Sequence, residues 1–146
     1  YKIEIAVEPI IKYAGYENDY LDLIKKIKKE IDLSQVSKIK IGTVRYKTSL
    51  MNDIKEVHPN SGLVSRNQKL VEPEKGDDRW RYNKEERIKI YSIIKSELDD
   101  VPNVALGLGS ENPEVWDELG LDKTDIHSGV VYQYTEVNKN NSIAQE

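Results

Sequence analysis

The stretch Ile39–Tyr46 limits most strongly what this chain can fold into. Ile39 and Ile41 alternate with Lys38 and Lys40, the period of a half-buried strand, and Thr43, Arg45 and Tyr46 follow at its end. Two further runs have the same form. Lys2–Val7 alternates Ile3, Ile5 and Val7 against Lys2, Glu4 and Ala6 and ends in Glu8-Pro9, and Val104–Leu108 ends in Gly109-Ser110-Glu111. Helical patterns separate the three, which reads as βα units building a parallel sheet. In such sheets ligands bind beyond the carboxyl ends of the strands. Glu8, Arg45 and Glu111 are therefore expected on one pocket rim, with Thr43 and Ser110 beside them.

Pro9 removes a backbone donor and holds Glu8 extended, so the first strand is expected to stop there. After the loop Tyr13-Ala14-Gly15-Tyr16, a helix is expected from Asn18 or Asp19, either a good N-cap. Its buried stripe is Tyr20, Ile24, Ile27 and Ile31, with Lys25, Lys26, Lys28 and Lys29 toward water. A short helix capped by Thr48 or Ser49 carries Leu50, Met51, Ile54 and Val57, and His58-Pro59-Asn60-Ser61-Gly62 stops it. His58 then sits at a helix C-terminus, where a structural role suits it.

Leu63–Tyr82 breaks the βα rhythm. Leu63-Val64 and Leu70-Val71 are short extended pieces, Glu74–Asp78 is a turn, and Arg79-Trp80-Arg81-Tyr82 leaves it, a hairpin-like excursion. Alternation sends Arg79 and Arg81 to one face and Trp80 and Tyr82 to the other. Guanidinium groups beside flat rings can hold phosphate and stack a base; a hairpin stem with its aromatics on the core has the same sequence. A long helix follows from about Lys84 to Leu98, buried along Ile88, Tyr91, Ile94 or Lys95, and Leu98. The last helix has Asn112 as N-cap, Pro113 at its first position, Val115, Trp116 and Leu119 on its apolar face, and Gly120 as its stop. Beyond Lys123 the regularity weakens: His127 has no evident partner, Val130–Tyr134 reads as a possible strand, and Asn138–Glu146 as a polar tail.

Composition narrows the chemistry. The 146 residues fit one domain, and 33% charged with 38% hydrophobic residues is ordinary for a globular chain. No apolar run is long enough to span a bilayer and no signal-peptide pattern is present, so a cytoplasmic location without membrane contact is the expectation. A first residue Tyr1, with a strand beginning at once, is expected of a segment cut from something longer; a processed terminus or a removed tag gives the same start. There are no cysteines, which excludes a disulfide, a thiolate metal site, a cysteine nucleophile and a self-contained iron–sulfur cluster within this chain. No metal triad, nucleophile–base pair, repeat or P-loop is present, and Gly107-Leu108-Gly109 is only a fragment of a glycine pattern. The net charge of −4 is uneven: Lys38–Lys89 holds 13 Lys and Arg against 8 Asp and Glu, leaving 9 against 18 elsewhere. A local basic patch on an acidic protein suits phosphate contacts, and equally a solvated face. From the residues alone the chain is an α/β domain with a polar strand-end site. That site suits acid–base work or a zwitterionic ligand, and a structural ion pair of Arg45 would look the same.

Several stretches together resemble one family. They are Glu8-Pro9-Ile10-Ile11 with Tyr13-Ala14-Gly15-Tyr16-Glu17, Ile41-Gly42-Thr43-Val44-Arg45-Tyr46, Arg81-Tyr82, and Ser110-Glu111-Asn112-Pro113-Glu114-Val115-Trp116. In this order and spacing, over about residues 3 to 122, they are similar to the C-terminal half of the spore photoproduct lyase family of radical S-adenosylmethionine enzymes. The resemblance implies the last βα units of a partial (β/α)6 barrel with an inserted hairpin at about 63–82, then an extension over 123–146. It implies an N-terminal half of the barrel that carries a 4Fe-4S cluster on a Cys-x3-Cys-x2-Cys loop and cleaves S-adenosylmethionine to a radical that abstracts hydrogen, the founding activity being repair of a thymine lesion in spore DNA. Glu8 and Pro9 would lie beside the S-adenosylmethionine pocket, Arg45 and Tyr46 would face the substrate, and Arg79, Arg81 and Tyr82 would belong to a hairpin that engages DNA. The cysteine loop is absent, as is any cysteine able to donate a hydrogen atom, so this chain alone is expected to be inactive. The rival expectations are a non-catalytic nucleic-acid-binding module and a small-molecule-binding α/β domain.

Overall fold

The computed structural model describes residues 2–62, 70–71, 73 and 78–121. The expectations for Leu63-Val64, most of the turn before Arg79, His127, Val130–Tyr134 and the 123–146 extension lie outside the described residues. The elements are β1 (Ile3–Ile10), α1 (Tyr16–Glu30), β2 (Val36–Thr43), β3 (Arg45–Lys47), α2 (Thr48–Val57), β4 (Leu70–Val71), β5 (Arg79–Tyr82), α3 (Lys84–Leu98), β6 (Ala105–Leu108) and α4 (Pro113–Glu118). They form two three-stranded sheets: a parallel one in the order β1-β2-β6, and a small antiparallel one in the order β3-β5-β4.

The alternation in the sequence decides the faces of the parallel sheet. Ile39 pairs with Ile5 and Leu106, and Ile41 with Val7 and Leu108, and these side chains join Ile24 and Ile27 of α1 and Ile90 and Ile94 of α3 in one core. Burying each such side chain contributes roughly 1.5–3 kcal/mol. The opposite face carries charge and small residues: Glu4 pairs with Lys38 and Lys38 with Ala105, Ala6 with Lys40 and Lys40 with Gly107. Helices therefore cover one face of this sheet, and charged side chains line the other.

In β1 and α1 three local expectations are corrected. Strand β1 runs through Pro9 to Ile10, with its register shifting between Val7 and Ile10. An edge strand tolerates proline because a missing donor there breaks no ladder bond. Helix α1 starts at Tyr16 rather than at Asn18 or Asp19: Gly15, at φ +89, takes the left-handed cap position, and its carbonyl accepts from the backbone N–H groups of Asn18 and Asp19. Lys28 is also not a solvated lysine. It donates to the Glu97 carbonyl at 2.8 Å and to Asp100 at 2.7 Å, fastening α1 to the end of α3.

In α2 only Met51 is buried, and Leu50 and Val57 are exposed, so the expected apolar face is mostly outside the core. Helix α3 is capped by Asn83, whose side chain accepts from the Glu86 backbone N–H at 2.9 Å. Gly120, at φ +63, follows α4 as its stop.

Candidate functional site

The strand carrying Arg45 breaks between the two sheets. Strand β2 ends at Thr43, and Val44 donates its N–H to the Ile10 carbonyl at 3.0 Å. Arg45 then opens β3 in the antiparallel sheet, opposite Arg81. Arg45 is thus the first residue of a second strand rather than the end of the first. It stands at the border of two surfaces.

The first surface is an open cleft of about 340 Å³ lined by Glu8, Pro9, Gly42, Thr43, Arg45 and Gly109. Its floor is made by glycine. A Cβ on Gly109 would fall 1.7 Å from Glu8 Oε1, and one on Gly42 2.6 Å from the same atom, so both glycines are needed for the carboxylate to lie where it does. Lys40 Nζ lies 3.4 Å from Glu8 Oε2. Across the cleft, Arg45 Nη1 donates to the Ser110 carbonyl at 3.3 Å. Burial and then the nearby Arg79 charge lower the Arg45 pKa, and Glu8, Tyr91 and Glu111 oppose them. A guanidinium stays charged under such shifts.

The second surface is one face of the antiparallel sheet. Register pairs Arg45 with Arg81 and Lys47 with Arg79, which puts four cationic residues on a single side of two strands, Lys47 exposed, Arg45 and Arg79 half-buried and Arg81 buried. Tyr46 and Trp80 are paired on the other side, with Tyr82 opposite Leu70. Tyr82 is 0% exposed and Tyr46 is buried, and the Tyr82 hydroxyl accepts from the Lys12 N–H at 2.9 Å. Tyr46 and Tyr82 pack in the core and Trp80 is half-buried against it, so these rings lie on the face opposite the arginines.

Glu111 is not on the cleft lining. It is buried together with Arg87, which is 1% exposed. Arg87 Nε lies 2.9 Å from Glu111 Oε1, and Tyr91 donates to the same oxygen at 2.7 Å. Burial and then the Glu111 charge push the Tyr91 hydroxyl pKa far up, so it stays a donor. The partner of Glu111 is therefore Arg87 and not Arg45. The sequence signal for Arg87 is its place on the α3 stripe one turn before Tyr91, a charge where an apolar residue is expected. Ser110, at φ +53, supplies a backbone carbonyl to the site.

This combination defines a class: an α/β domain in which a parallel βαβ sheet abuts a small antiparallel sheet. The fold resembles part of solved structures of spore photoproduct lyase. A cysteine-to-alanine mutant gives a TM-score of 0.57 at 18% identity, over 70% of this chain and 32% of that one. A mutant with dinucleoside spore photoproduct gives 0.59 at 20% identity, over 73% and 33%. A double mutant with bound AdoMet and dinucleoside spore photoproduct gives 0.56 at 19% identity, over 73% and 33%. The chain thus spans about a third of the length of these structures. No family model matches it, and neither does any curated protein. Among the described residues no helix is long and apolar enough to cross a membrane.

A cysteine-ligated cluster does not fit the residues of this chain, because it contains no thiolate. The cleft holds a carboxylate and a guanidinium on one small space.

Proposed function

We propose that this chain is the C-terminal part of a spore photoproduct lyase-like protein, supplying the last strands of a partial (β/α)6 barrel and a nucleic-acid face. In this reading residues 1–122 are the barrel part, 123–146 an extension, and an N-terminal half-barrel completes the open charged face of the parallel sheet. Glu8 and Pro9 form one wall of the S-adenosylmethionine pocket, and Arg45 and Arg79 meet the phosphates of the lesion-bearing strand, with the buried Arg81 behind them. Tyr46 and Tyr82 support those arginines from the core side. The radical chemistry and its cluster belong to the other half, and alone this chain is inactive. The reading frame upstream of Tyr1 tests this directly: it holds a Cys-x3-Cys-x2-Cys loop in the lyase-like case and lacks one in the case of a stand-alone binding domain.

The observation that carries the nucleic-acid part is the register of β3 on β5, which gathers Arg45, Lys47, Arg79 and Arg81 on one face beside the cleft. Phosphate contacts from such a face set both affinity and its salt dependence. Binding of oligothymidylate across a salt series is the test. Arg45→Ala and Arg79→Ala should each weaken it and flatten the logarithmic salt slope by about 0.7 per lost phosphate contact. Unchanged affinity and slope in both variants would remove the nucleic-acid role.

Glu8 and Arg45 on one cleft favour a second reading, a domain for a small zwitterionic ligand. Saturable binding of such a ligand, with no oligothymidylate affinity, would select it.

A further inference from the structure

The geometry points to Glu111 and Arg87 as positioning residues that hold the Arg45 guanidinium over the cleft. Neither touches the cleft, and the effect passes through one backbone carbonyl. Gly109 donates its N–H to the Ile41 carbonyl at 2.7 Å, which pins one side of the Gly109–Glu111 turn to β2. The other side is pinned by the Glu111 carboxylate, taken inward by Arg87 and by the Tyr91 hydroxyl at 2.7 Å. Between these two anchors Ser110 adopts φ +53, a left-handed conformation unfavourable for a residue with a Cβ. Its carbonyl is the acceptor of Arg45 Nη1. Free of its anchors, Ser110 would relax toward an ordinary conformation, and Arg45 would lose this acceptor.

The same pair gathers the remaining strand ends. Arg87 Nη1 donates to the carbonyl of Tyr82, the last residue of β5. Tyr91 accepts from the Thr43 N–H at 3.2 Å, at the end of β2. The ends of β2 and β5 and the turn after β6 therefore meet around one buried carboxylate. A buried ion pair is a poor way to add stability, since well-packed apolar residues of similar volume commonly do as well or better. Its worth here is geometric. An arginine side chain otherwise loses considerable rotamer freedom when it binds, and a preset guanidinium avoids part of that cost.

The test uses the whole 146-residue chain, with the heteronuclear NOE of the Arg45 Nε–H in the free protein as the first readout. In the native chain this group should be as rigid as the backbone. In the double variant Arg87→Met/Glu111→Met, which removes both charges together, the chain should still melt cooperatively while the Arg45 signal falls to the level of an exposed arginine. If the double variant does not fold, Tyr91→Phe removes a single hydroxyl from the same carboxylate and should loosen Arg45 in the same direction. The second readout rests on the nucleic-acid reading above. Arg45→Ala should cost about tenfold in oligothymidylate affinity in the native background, the equivalent of one charge-assisted hydrogen bond, and about twofold or less in the altered one. A rigid Arg45 in the folded variant, with the same cost of Arg45→Ala in both backgrounds, would overturn the assignment. Loss of rigidity in a protein whose native form binds no oligothymidylate would support the positioning role and remove the nucleic-acid reading alone.

Discussion

Gly109 and Glu8 are bound to each other by space. A Cβ at residue 109 would lie 1.7 Å from Glu8 Oε1 and 2.8 Å from its Cδ, while the nearest backbone atom, the Ile41 carbonyl oxygen, is an ordinary 3.5 Å away. Gly109→Ala should therefore expel the Glu8 carboxylate from the cleft and leave the fold nearly as stable, at a cost of about 1 kcal/mol or less. Urea unfolding together with the Glu8 carboxyl 13C shift checks this. A loss above about 3 kcal/mol would mean that the backbone, and not the carboxylate, had no room. At this scale the sequence was partly legible. Glu8, Thr43 and Arg45 could be placed at the cleft because alternation marks the strands and the helices between them set those strands side by side in one direction, although β1 runs on past Glu8 and Arg45 opens a second strand. Glu111 could be placed near it but not assigned, because its partner Arg87 lies 24 residues away on a helix whose periodicity marks faces and not contacts.

The elements were easier to read than their ends. Alternating isoleucines and the 84–98 stripe identify strands and helix because burial imposes their periods. The start of α1 was missed because a glycine cap leaves no side-chain signature, and the end of β1 was missed because an edge strand relaxes the rule against proline. The contact of α1 with α3 makes a prediction about pH. Its Lys28 bond holds the Asp100 pKa below the usual carboxylate value of 3.8, and the Ser34 hydroxyl and N–H do the same for Asp32. That stability is present above 3.8 and lost as pH falls below it. At the alkaline end the Asp100 bond raises the Lys28 pKa above 10.5, and burial pushes Tyr16 and Tyr46 up to about 12 from 10.0. Groups raised in this way stabilise the fold below their unfolded values and cease to do so as pH climbs past them. The urea midpoint should be level from about pH 5 to 9 and decline on both sides. Lys28→Met should shrink the acid decline, and a midpoint that stays level from about pH 10 to 12 would contradict the burial of the two tyrosines.

For the whole molecule, what the sequence concealed was the division into two sheets. The run Ile39–Tyr46 reads as one strand because most of its residues favour extension; only the pairing of Arg45 with Arg81, beyond α2 in the chain, draws it into a second sheet. Pairings of that separation leave no local mark. Among the described residues the resulting parallel sheet has β1 at one edge, with Ile3, its first residue, 47% exposed. Uncovered edges of this kind template association. The chain by itself should sediment as a concentration-dependent mixture, and Ile3→Lys should shift it toward monomer. Monomer at every concentration would show that the edge is already protected.

Val44 is the single residue between the two sheets, and that makes this point intolerant of insertion. Side chains along a strand change sides at each step, so one added residue would turn Arg45 and Lys47 inward and lift Tyr46 into water. The turn at Leu33–Gln35, which only carries α1 into β2, has no such constraint. Length at residue 44 is thus as specific as any side chain in the cleft, and relatives that share this site should differ there in residue type and never in number.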